Sequence, residues 1–193
     1  MTTELSMPRL APPGAGLPRI ERFFANLMIH AKARRTSTAQ VAATFEQELE
    51  EILGLVKSRP SDVLGQRVLI RRLPGLEDSS RYWSALMTLD HLRIVNHQVG
   101  GVIASLCEGR VPPEKVGTAD VKPSENVGWS VMADFERTSR EFADVVKIQK
   151  SLKSPVSYPH PWFGPLDAAG WHFMVAFHMG LHRKQILRIF EGM

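Results

Sequence analysis

Cysteine is almost missing from this 193-residue chain, which has one, Cys107. A lone cysteine excludes an internal disulfide and a cysteine-rich zinc site. Long apolar runs are missing as well. No stretch approaches the roughly 18 apolar residues that a membrane span needs. The segment MTTELSMPRLAPPGAGLPR lacks the apolar h-region of a secretory signal. A cytoplasmic protein without a membrane partner is therefore the default expectation. Neither sign of charge dominates, with 24 Lys and Arg against 20 Asp and Glu. The basic pairs Arg34-Arg35, Arg71-Arg72 and Arg183-Lys184 are scattered, so a nucleic-acid partner is not implied. Several catalytic signatures are also absent. There is no His-Glu-x-x-His, no Walker-type phosphate loop and no Gly-x-Ser-x-Gly elbow. The Glu-x-x-His of ferritin-like di-iron bundles is absent too.

What is present reads as helix. Hydrophobic residues make up 44% of the chain and charged residues 23%, enough apolar matter for a core. The thirteen prolines leave proline-free windows at 19–59, 75–111, 124–154 and 166–193. Long helices must avoid proline, so each window is a candidate helical segment. In the first, Val41, Phe45, Leu49, Ile52, Leu53 and Val56 recur every three or four residues. The shorter set Ile20, Phe23, Phe24 and Leu27 precedes it, and Thr36-Ser37-Thr38 caps a fresh helix between the two. Trp83, Met87, Ile94, Val95, Val102 and Leu106 form the second stripe, with Asp78, Ser79 or Ser80 as its cap. Val131, Phe135, Thr138, Phe142, Val145 and Val146 form the third, capped by Ser124. Asp167 caps the fourth, and Gly192 ends it. The short β-like run QRVLIRRL at 66–73 reads as an extended connection rather than a sheet. An all-α four-helix bundle follows, as a single domain over 19–193 behind a flexible Pro/Gly-rich segment at 1–18.

The histidines carry the chemistry. His178 and His182 lie four apart and share a helix face with Trp171, Met174, Val175, Leu181, Gln185 and Ile189. That stripe must face the bundle interior, where an unpaired polar group costs a few kcal/mol. One metal ion is a natural common partner for two such imidazoles. His91 sits on a mostly apolar face with Met87, Ile94 and Val95, and reads as inward and as a candidate for the third ligand that such a site needs. His97, beside Asp90 and Arg93, reads as outward. His30, His160 and His172 remain as further candidates, His172 being rotated away from the His178/His182 face. Cys107 reads as a small packed residue.

The segments WSALMTLDHL at 83–92, HPWFGPL at 160–166 and HFMVAFHMGLHRKQILRI at 172–189 resemble the DinB/YfiT-like superfamily. That family is a four-helix bundle of metalloenzymes with one His early in the second helix and a His-x-x-x-His pair on the last. A Gln often follows the pair by three residues. His91, His178, His182 and Gln185 match these positions. The resemblance covers about 37–192, and residues 1–36 stand outside it. It implies a divalent metal, with zinc or nickel suiting three imidazoles and iron or manganese open. It also implies chemistry of a thiol-dependent transferase or isomerase kind on a small-molecule substrate, with a low-molecular-weight thiol as co-substrate.

Three imidazoles leave a position open on a divalent ion, which points to catalysis rather than to a structural metal. A hydrolase using a metal-bound water is the alternative. A bundle that binds a ligand or partner around a structural metal is another. Gln185, Thr88 and Trp171 are placed to support the metal or the substrate, and Trp162 and Phe163 to wall the mouth. Apolar residues beside the His91 stripe, such as Leu86, Leu89 and Leu92, leave room for a homodimer.

Overall fold

In the computed structural model, residues 8–113 and 117–193 are described. Six helices and four very short strands follow one another: α1 (Arg19–Arg35), α2 (Thr38–Lys57), α3 (Ser61–Leu64), β1 (Val68–Leu69), β2 (Tyr82–Trp83), α4 (Ala85–Cys107), α5 (Val131–Lys147), β3 (Tyr158–His160), β4 (Gly164–Leu166) and α6 (Ala168–Glu191). Helices α2, α4, α5 and α6 form the four-helix bundle. Helix α4 packs on α5 and α6, α2 packs on both as well, and α1 lies along α6. Among the described residues no helix is long and apolar enough to cross a membrane.

Helical spacing alone places the core. Phe45, Leu49, Ile52 and Val56 of α2 are all buried, as the period of 3.6 requires. Phe135 and Phe142 of α5, Leu89 and Ile103 of α4, and Met179 and Ile186 of α6 meet them. Phe45 and Phe142 bring their ring centroids to 4.8 Å. The apolar set before α2 behaves differently. Ile20, Phe23, Phe24 and Leu27 are all exposed on α1, where Ile29 alone is buried.

Two helix starts are where the sequence puts them. Ser37 caps α2 in a capping box with Gln40, and the Asp167 carboxylate accepts from the Gly170 N–H to open α6. Two are not. Ser84 caps α4 by accepting from the Met87 N–H, because Asp78–Ser80 forms a separate turn of 3-10 helix. Helix α5 starts only after Ser130, not at Ser124. The Ser124 N–H instead donates to Asp90, whose carboxylate also binds Arg93.

The run 66–73 is a connection for most of its length, but Val68–Leu69 pairs antiparallel with Tyr82–Trp83. Tyr158–His160 and Gly164–Leu166 form a small hairpin ahead of α6. In it Gly164 adopts a φ of +69°, a region that disfavours side chains. Residues 8–18 lie against the bundle. The Ala11 N–H donates to Asp78 at 2.8 Å and the Gly16 N–H to Glu77 at 2.9 Å, and Leu17 is buried.

Gly180, between His178 and His182 of α6, makes room for a carboxylate of α2. A Cβ there would stand 3.0 Å from Oε1 of Glu48, which pairs with Arg183.

Ser37→Ala removes the hydroxyl that accepts from the Gln40 N–H and leaves the return bond from the residue 37 N–H to the Gln40 side chain. A loss of about 1 kcal/mol is expected, a fall in Tm of about 2–4 °C for a chain of this size. Thermal melts of the two proteins, followed by circular dichroism, check it; equal melting temperatures would show that α2 does not rely on this cap.

Candidate metal centre

The capped starts of α4 and α6 set the phase of the histidines. His91 lies on the second turn of α4 and faces inward, while His97 is exposed. His178 and His182 lie one turn apart on α6, facing His91. The Nε2 of His178 stands 3.1 Å from Nε2 of His91 and 3.0 Å from Nε2 of His182. All three ligand atoms lie within 4.8 Å of one another, and His91, His178 and His182 form a cluster that can hold a metal ion.

The partners of the other ring nitrogens decide the tautomers. Nδ1 of His91 lies 2.6 Å from the Val121 carbonyl oxygen, which can only accept. That nitrogen therefore carries the proton and donates. Nε2 is left with a lone pair. Gln185 does the same for His182. Its Nε2 donates to the Ser80 carbonyl at 2.7 Å, which turns its Oε1 to accept from Nδ1 of His182 at 2.6 Å. Gln185 is completely buried, so this orientation is set by its two partners. Two lone pairs thus point at the His178 Nε2. A single hydrogen there cannot serve both well, and the His178 Nδ1 is buried without a partner among the described residues.

Burial holds all three rings neutral. Desolvation pushes His91 down to about 4 and His178 and His182 well below the ordinary histidine value. Neutral imidazoles are what a metal requires. Zinc–nitrogen bonds of about 2.0–2.1 Å in a tetrahedron set the nitrogens about 3.3 Å apart, close to the spacing found. The residues fit a divalent ion.

Trp83 walls the cluster, lying parallel to His182 at 6.2 Å and tilted to His91 at 5.2 Å. Behind Trp83 stands a pair that no local pattern in the sequence announced. Nζ of Lys122 lies 5.3 Å from the Trp83 ring centroid. It donates to Glu77 at 2.6 Å, to Ser79 Oγ at 2.8 Å and to Ser80 Oγ at 2.9 Å. Burial alone would raise the Glu77 carboxyl. The hydrogen bond and charge of Lys122, with the Gly16 N–H, overcome this and hold it below the usual carboxylate range.

The three rings open on a cavity of about 800 Å³, within the range of small-molecule sites. Its walls come from α1 (Phe24, Leu27, Met28), from α4 (Val95, Val99) and from the hairpin (Trp162, Phe163). Trp171 lines it as well, with its indole N–H donating to the Tyr158 carbonyl. Thr88 does not reach the rings; its hydroxyl donates back to the Ser84 carbonyl at 2.9 Å. His160 lines the cavity but stacks on Phe163 at 4.5 Å, outside the three-nitrogen cluster. His30 of α1 binds the Phe163 carbonyl at 2.9 Å and so ties α1 to the hairpin. Cys107 is half-buried, and burial raises its thiol, in keeping with a packing role.

No family model matches the chain, and no curated protein does. Among solved structures the chain is similar to TT2238, described as a four-helix bundle protein. The identity is 21% and the TM-score 0.57, over 78% of this chain and 98% of that one. The likeness establishes a shared four-helix-bundle fold.

Acid tests the burial of the histidines outside the cluster. Desolvation lowers His160 and His172 to about 4, against about 6.5 in an unfolded chain. Between those values the unfolded chain takes up protons that the native chain refuses. Their contribution is therefore intact above pH 6.5 and is lost as pH falls toward 4. At pH 5 each such histidine costs about 2 kcal/mol relative to pH 7. Urea unfolding at the two pH values checks this, with His172→Phe expected to shrink the difference by that amount. An unchanged difference would show that His172 titrates normally in the folded protein.

Proposed function

We propose that this protein is a DinB/YfiT-like metal-dependent enzyme in which His91, His178 and His182 hold one divalent ion, zinc or nickel. The observation that carries this reading is the convergence of three neutral Nε2 atoms, 3.0 and 3.1 Å apart, at the wall of a ligand-sized apolar cavity. The order of the motif supports the family assignment: one His on α4, then His-x-x-x-His and a Gln on α6.

When bound, such an ion lowers the pKa of a thiol or water that it coordinates, so that a nucleophile is available at neutral pH. The chain's own residues do the rest. Val121 and Gln185 hold protons on Nδ1 of His91 and His182, aiming both lone pairs inward. Phe163, Trp171 and Met174 exclude water from the cavity and bind an apolar substrate body. Among the described residues no carboxylate hydrogen-bonds to any of the three rings, and Glu77, which lines the cavity, is engaged by Lys122 and the Gly16 N–H. That favours attack by a small thiol on an electrophile over hydrolysis.

Elemental analysis of the untagged protein beside the His91→Ala/His178→Ala/His182→Ala variant tests the site. About one zinc or nickel per chain is expected, absent in the variant. Equal metal in both proteins would overturn the ligand assignment. Gln185→Leu should weaken metal affinity about 10- to 100-fold, read by competition with a chromogenic chelator. Conjugation of a small thiol to an aryl halide should require the loaded metal and vanish in His178→Ala; if only water consumes a test ester, the hydrolase reading replaces the thiol one.

A further inference from the structure

A second depression, of about 1520 Å³, lies where the C-terminal ends of α1 and α5 meet the N-terminal ends of α2 and α6. It shares no lining residue with the three-histidine cavity. Apolar and aromatic groups form part of its wall, Phe45, Phe142 and Leu152 among them. Around them stand Arg34, Arg35, Lys147, Lys150 and Lys153, all exposed.

These cations differ from their neighbours. Earlier on α5, Arg137 and Arg140 each bind two carboxylates. Among the described residues, none of the five cations of the groove has an ion pair. The N-terminal turn of α2 opens beside them and carries no acidic residue, so its positive end is not offset. Of the three carboxylates in the wall, Glu46, Asp144 and Asp167, Asp167 is spent on the cap of α6.

A buried group points the same way. His172 lines this groove at 2% exposure, with its ring 6.2 Å from that of Phe142. Among the described residues none bonds to its ring nitrogens, which are not sealed in the core and are left to groups that enter the groove. A ligand polar atom in the groove would supply a partner.

We propose that the groove binds a small organic anion, a flat apolar body against Phe142 and His172 with its phosphate or carboxylate held by the Lys147–Lys150 and Arg34–Arg35 cations. A phosphate accepts more charge-assisted hydrogen bonds than a carboxylate, so the phosphate is bound more tightly. The site does not depend on the three-histidine reading and stands or falls apart from it.

Calorimetric titration with 1-naphthyl phosphate, 1-naphthoate, 1-naphthol and inorganic phosphate tests it. Both naphthyl anions are expected to bind, the phosphate more tightly. Neutral naphthol and bare phosphate are expected to bind at least tenfold more weakly. Lys147→Glu/Lys150→Glu should weaken the naphthyl phosphate at least about tenfold, since each charge-assisted bond lost is a large fraction of such an affinity. His172→Phe should weaken it as well, with its fold checked by circular dichroism, while His178→Ala should leave binding unchanged. Equal binding of naphthol, or binding lost in His178→Ala and kept in the charge reversal, would overturn the proposal. So would a single-stranded oligonucleotide that binds with steep salt dependence and displaces the naphthyl phosphate, since that would make the groove a nucleic-acid surface.

Discussion

Three imidazole nitrogens facing one another inside an apolar cavity form an arrangement that the rest of the chain must hold together. No ring can take a proton cheaply there, because burial penalises every charged form. Neutral rings must then be turned so that two lone pairs meet at the third nitrogen. Two hydrogen bonds accomplish this, from His91 to the Val121 carbonyl and from His182 to Gln185. Each acceptor is itself fixed. Val121 belongs to the segment after α4, and Gln185 is held by the carbonyl of Ser80.

Those two supports converge on the Glu77–Lys122 pair. The Lys122 ammonium gathers Glu77, Ser79 and Ser80, so the turn before β2 and the segment carrying Val121 are tied at one point. Glu77 reaches the other way as well, to the Gly16 N–H and the Thr118 hydroxyl. A buried pair of this kind is weak evidence for net stability against an apolar substitute. Breaking it by removing one partner strands a charge and is costly. Its structural consequence is registration: three segments distant in sequence are brought to the back of Trp83 and hence of the histidines.

The cavity combines two bundle helices, α4 and α6, with parts of the chain outside the bundle. Helices α2, α4, α5 and α6 make the frame, and the fold is one the chain shares with another four-helix bundle at 21% identity. Much of the cavity wall comes from α1, the hairpin and the loops around 74–80 and 117–122. Such additions determine what a site accepts, while the frame determines where its ligands stand.

Much of this was legible in the residues. The bundle, the caps at Ser37 and Asp167, the inward His91 and the outward His97 all follow from helical period and capping chemistry, which act over a few residues. The cap at Ser84, the pairing of β1 with β2, and the Glu77–Lys122 pair were not legible. The last two join segments that only packing brings together, while the Ser84 cap is local and was hidden by the equally good cap residues at 78–80. Helix α1 shows the limit most clearly. Its Ile20, Phe23, Phe24 and Leu27 form an apolar set in the sequence, yet they are exposed, because a helix lying outside a completed bundle has one narrow face left to bury. The chain by itself determined four helices and which faces of α4 and α6 carry histidine, since period and propensity are local. The tertiary structure alone decided that three of those histidines meet nitrogen to nitrogen and that His172 joins a different cavity, because the rotation of one packed helix against another is set by the side chains of both.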